Sequence, residues 1–109
     1  MSARTMRRQF LADLWSGVHV VWPILSALLI VMVTLGIVIG LIEGWRLVDS
    51  LYFAFVTGLT IGYGDLVPKM LLSRALAVVI GITGILLTGL VAAIGVQALL
   101  ATMQRNRER

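Results

Sequence analysis

The chain has 109 residues, 60% of them hydrophobic, and a mean hydropathy of +1.02, which excludes an ordinary soluble domain and leaves room for one small unit only. Its net charge of +4 is split between the two ends and not gathered into a patch with aromatic stacking partners, so nucleic acid is excluded as a partner. It contains no cysteine, which excludes disulfides and thiolate metal sites.

Residues 1–17 read as a polar, then mixed, N-terminal segment. Phe10, Leu11, Leu14 and Trp15 recur at helical spacing opposite Arg4, Arg7 and Arg8. That pattern predicts a short amphipathic helix at the cytoplasmic interface, with a frayed tail as the plain alternative. The remainder, 18–109, forms the second region. From Leu14 to Ile42 no residue carries a formal charge. This run exceeds the ~20 apolar residues that span a bilayer core and is too long for a cleaved signal. It predicts a first transmembrane helix over about 20–41, with Trp22 at the interface belt and Pro23 near the helix start. His19 is the lone histidine; an interfacial polar anchor is the expected role and pH sensing the sharper alternative.

Asp49 and Ser50 are good N-caps for a helix over about 50–59. At ~1.5 Å per residue such a helix is ~15 Å long, half the membrane, so it must be re-entrant. Thr60-Ile61-Gly62-Tyr63-Gly64-Asp65 follows at once. Gly62 and Gly64 permit φ > 0 without steric cost. Alternation of ordinary and mirror-image dihedrals turns successive carbonyls the same way, into a cage of oxygens for a dehydrated cation. Thr60 adds a hydroxyl, while Ile61 and Tyr63 point outward as wedges. GxG alone is also a common turn signal. Here the short helix before it and Pro68, which stops helical continuation after it, favour the ion-binding loop.

A second charge-free run, Ala75 to Gln104, predicts an inner helix over about 71–103. It holds Gly81, Gly84, Gly89 and Gly95. Small residues allow close helix packing in lipid, the expected role of three of them, and Gly81 or Gly84 can also supply a bend. Arg4, Arg7 and Arg8 precede the first span, and Arg105, Arg107 and Arg109 follow the second. Between the spans Arg46, Lys69 and Arg74 are balanced by Glu43, Asp49 and Asp65. The positive-inside rule therefore predicts two crossings, both termini cytoplasmic and the 43–74 region outside, in the cell membrane.

Thr60 to Asp65, Pro68, Arg74 and Gly84 match, in residue and spacing, the two-transmembrane bacterial potassium channels, pore-only members of the tetrameric potassium-channel superfamily. The chain resembles them over about residues 20–103. The resemblance implies an all-α membrane protein with two transmembrane helices, a re-entrant pore helix and a selectivity-filter loop, assembled as a homotetramer in membrane lipid. It implies K⁺ sites formed by the carbonyls of Thr60, Ile61, Gly62 and Tyr63 and by the Thr60 hydroxyl, with Gly64 completing the loop. Tyr52, Phe53, Val56 and Asp65 would support the filter, and Gly84 would be the gating hinge. Ile85, Thr88 and Ala92 would line the cavity, with the inner gate near Val96 to Leu100.

Three positions depart from the family pattern: Leu59 replaces a frequent Thr, Val56 a frequent Glu, and Tyr52-Phe53 a frequent Trp pair. Without a carboxyl at Val56, filter inactivation is expected to be weak or slow. No arginine repeat marks a voltage sensor, no regulatory domain is expected after Arg109, and K⁺ is the permeant ligand with no cofactor. Paired carboxylates, a Ser/His constellation and a phosphate loop are absent, so no enzyme is expected. A non-selective cation channel of the same fold, or a small non-conducting membrane interaction protein, are the alternatives.

Overall fold

The computed structural model describes residues 2–108. Met1, which opens the N-terminal segment, and Arg109, the last cation of the basic C-terminal flank, lie outside the described residues. The described residues fold into three helices and no strand: α1 (Ala3–Glu43), α2 (Leu47–Gly58) and α3 (Leu71–Glu108). α1 and α3 are long and apolar enough to cross a membrane; α2, with 12 residues, is not. Chain contacts divide the molecule into two compact units, Ser26–Thr88 and the pair of end segments Met1–Leu25 and Gly89–Arg109.

Three boundaries differ from the sequence expectation. The N-terminal segment is not a separate interfacial helix but the beginning of α1, which runs unbroken through Pro23. Proline in a helix interior costs about 3 kcal/mol and one hydrogen bond. A break there would leave more backbone groups unpaired than the one bond that proline removes. α2 starts at Leu47, after Arg46 as N-cap, and no side chain caps it. The expected caps do other work. The Ser50 hydroxyl donates back to the Arg46 carbonyl (3.1 Å), and Asp49 pairs with the Arg46 guanidinium at 3.5 Å in the first turn, where its charge complements the helix dipole. α3 continues past Met103 to Glu108, with Arg105 and Arg107 favourably placed in its last turn.

In the Ser26–Thr88 unit, small residues set the packing of α2 on α1. Ser50, Ala54 and Gly58 recur every fourth residue and form one buried stripe. Gly36 and Gly40 of α1 receive that stripe. A Cβ at Gly36 would lie 2.6 Å from the Ala54 Cβ, and one at Gly40 would overlap the Ser50 hydroxyl. Met32, fully buried, extends the contact with its sulfur against Gly58. Trp45, just before α2, packs its ring edge-on to Phe53 with centroids 5.1 Å apart.

The start of α3 is held by the end of α1. The Glu43 carboxylate accepts hydrogen bonds from the backbone N–H groups of Lys69 (2.8 Å) and Met70 (2.9 Å), two donors that no helical turn satisfies. The Arg74 side chain donates to the Pro68 carbonyl at 3.2 Å and closes the same corner. Replacing Glu43 by alanine should lower the thermal midpoint of the detergent-solubilised protein, and glutamine, which keeps an acceptor oxygen, should fall between. Equal midpoints for all three proteins would show that this cap carries no stability.

Candidate pore loop

The loop begins where α2 runs out of donors for its last carbonyls. Leu59, the C-cap, donates to the Phe55 carbonyl (2.9 Å) and Thr60 to the Thr57 carbonyl (3.1 Å). The Val56 carbonyl then takes two donors, the N–H of Ile61 at 2.9 Å and of Gly62 at 3.2 Å. All peptide bonds here are trans, so each N–H is opposed by the carbonyl of the preceding residue. With the Ile61 and Gly62 N–H groups turned toward α2, the Thr60 and Ile61 carbonyls turn away from it. The partial negative charge of the α2 C-terminus lies behind the same peptides.

The dihedrals alternate strictly. Thr60 (φ 62°), Gly62 (φ 59°) and Gly64 (φ 81°) are left-handed, and Ile61 and Tyr63 are not. Gly62 and Gly64 were legible as such from residue type. Thr60 was not, because a β-branched residue pays roughly 1–2 kcal/mol to adopt this conformation. The structure keeps it there by a 2.6 Å hydrogen bond from its hydroxyl to the Leu59 carbonyl. That bond uses the only hydroxyl proton and leaves the oxygen lone pairs free for a cation.

Thr60, Ile61, Gly62, Tyr63 and Gly64 are all exposed in the single chain, Ile61 at 48% and Tyr63 at 71%. The two wedge residues therefore find little cover within their own chain. A cavity of about 240 Å³ is lined by Phe53, Val56 and Thr57 of α2 and by Gly62, Gly64 and Asp65 of the loop. Phe53 and Val56 are buried. Tyr52 lines the same cavity, with its phenol near the Asp65 carboxylate. Val56 also acts through its carbonyl, which accepts from two loop N–H groups, a role that no residue-type signal reveals.

On α3, Ile85, Thr88, Ala92, Val96 and Leu100 follow one another at three or four residues, so they share one face, and all are exposed. Gly84 lies on another face and is buried. A Cβ there would overlap the backbone of Gly58, its carbonyl oxygen included. Within the chain, Gly84 is the tightly packed glycine of α3, whereas beyond their own helix backbone Gly81, Gly89 and Gly95 have no atom within 4 Å of an added Cβ. The spacing Gly36-x-x-x-Gly40 facing Ser50-x-x-x-Ala54-x-x-x-Gly58 was available as a small-residue signal for close helix contact.

Two membrane-length helices joined by a short apolar helix and a left-handed-alternating loop define a pore-loop membrane protein. Residues 25–101 match the family model described as "Ion channel", and the chain belongs to that ion-channel family. It is 68% identical over 28 residues to "Potassium channel subfamily K member 12" of Homo sapiens, and equally to that of Rattus norvegicus; this covers 26% of the chain and 6% of each relative. To "Two-pore potassium channel 1" of Arabidopsis thaliana it is 52% identical over 42 residues, 38% of the chain and 12% of that protein. The chain thus aligns with only a small part of each of these relatives. No solved structure matches significantly.

Proposed function

We propose that four copies of this chain surround an axis and conduct K⁺ passively and selectively across the cell membrane, with both termini cytoplasmic. The observation that carries the reading is the alternation at Thr60, Gly62 and Gly64, directly after a short helix that ends toward the loop. In four copies, the carbonyls of Thr60, Ile61, Gly62 and Tyr63 and the Thr60 hydroxyl form a row of oxygen rings matched to a dehydrated cation. Neutral dipoles bind the ion without trapping it. The exposure of Ile61 and Tyr63 supports assembly, since neighbouring copies would cover side chains that one copy leaves bare. The similarity to proteins named as potassium channels supports K⁺ as the permeant ion. The basic ends, Arg4, Arg7 and Arg8 with Arg105 and Arg107, support the orientation. Gly84 as hinge, Ile85, Thr88 and Ala92 as cavity lining, and Val96 to Leu100 as inner gate belong to the same proposal.

The test is the reversal potential of the purified, reconstituted tetramer under opposed K⁺ and Na⁺ gradients. It should follow K⁺. Tyr63→Asp removes the wedge and its aromatic contacts from each copy, so the oxygen rings lose their fixed spacing and Na⁺ should permeate. A parent current with no preference for K⁺ would assign a non-selective pore. An unchanged reversal potential in Tyr63→Asp would remove residues 60–64 from the filter.

A further inference from the structure

Within the unit formed by Met1–Leu25 and Gly89–Arg109, α1 and α3 meet along two short stripes. On α3, Ile94, Ala98 and Thr102 recur every fourth residue and are buried. On α1, Gly17 lies against Ile94 so closely that a Cβ would stand 2.9 Å from the Ile94 Cγ2. One turn nearer the N-terminus, the Asp13 carboxylate accepts a hydrogen bond from the Thr102 hydroxyl at 2.7 Å and another from the Arg105 guanidinium. The Thr102 hydroxyl also stands 3.0 Å from the Ala98 carbonyl, but it has one proton, and the shorter contact to an ionised acceptor favours Asp13. The Asp13 side chain is only 20% exposed and Thr102 1%, whereas the Arg105 side chain is 47% exposed. The two donors, one of them charged, together fix the orientation of this half-buried carboxylate.

We infer that Asp13 couples the N-terminal part of α1 to the inner gate. Val96 and Leu100 stand on the turns of α3 that Gly17 and Asp13 hold through Ile94, Thr102 and Arg105. The two end segments of one chain therefore move as one body during gating, and a force on residues 3–25 reaches the gate. Asp13 is a positioning residue that touches no ion. The inference rests on the channel reading above.

The chain has no cysteine, so a double variant Asp13→Cys/Arg105→Cys carries the only two thiols. In phospholipid bilayers under a KCl gradient, its open probability should differ from the parent's by about threefold to tenfold, the coupling expected of contacting charged groups. A short bifunctional methanethiosulfonate should join the two thiols and restore parental gating, reversibly on reduction. Channels frozen by the cross-link would show that the two ends separate during gating and would overturn the inference. Failure of the thiols to cross-link would overturn the contact itself. Asp13→Asn and Arg105→Gln should shift open probability alike, their combination no further, and the charge swap Asp13→Arg/Arg105→Asp should recover it. Additive single effects, which mere loss of structure would produce, would also count against coupling. A parent without any current would sink the channel reading, and cross-linking yield would still report on the contact.

Discussion

Gly62→Ala is expected to abolish K⁺-selective current while leaving the helices folded. Gly62 stands at φ 59° in the middle of the alternating run, and its N–H is one of two donors to the Val56 carbonyl. An alanine there costs roughly 1–2 kcal/mol in each copy if the left-handed conformation is kept. Thr60 already carries such a cost in the same loop. The relaxed alternative rotates the peptide, turns the Ile61 carbonyl out of the row and frees the N–H from Val56. The matched control is Gly44→Ala at φ 76°, in the turn that ends α1, which has the same backbone demand and no part in the loop. Both variants should lose stability in thermal unfolding of the reconstituted protein, and only Gly62→Ala should lose selectivity in the reversal potential. Selective current in Gly62→Ala would mean that the carbonyl row does not depend on this dihedral.

The second large effect is expected at Gly84. A hinge role alone predicts that Gly84→Ala lowers open probability by adding helix propensity at a bending point and leaves selectivity untouched. The contact with Gly58 predicts more. The added methyl would meet the Gly58 carbonyl and push the end of α2, two residues before Thr60. Backbone cannot yield as the tip of a flexible side chain can, so the loop should shift with it. The expected result is therefore a changed K⁺/Na⁺ permeability ratio together with lower current. Gly89→Ala, where nothing stands within 4 Å of the new methyl, should alter open probability at most. If Gly84→Ala gates poorly with parental selectivity, bending and not packing is what this glycine supplies.

Much of this architecture was legible in residue order because its causes are local. Charge-free runs longer than a bilayer core is thick mark α1 and α3, and a helix half that length ending in Thr60–Gly64 marks a re-entrant loop. Gly62 and Gly64 announce left-handed backbone because no other residue type takes it so cheaply. What residue type alone left open depends on partners distant in the chain or on competition between costs. Pro23 continues α1 because a broken helix leaves more backbone groups unpaired than the one bond that proline removes. Thr60 accepts a left-handed φ because the Val56 carbonyl and the Leu59 carbonyl hold the peptides on either side. Gly84 is a packing residue only because Gly58 comes to lie on it, and Asp13 meets Thr102 and Arg105 only once α1 and α3 have packed. Periodicity and sterics act within a few residues and can be read from the chain, whereas close packing and the pairing of buried charge are properties of surfaces that exist only after the helices have met.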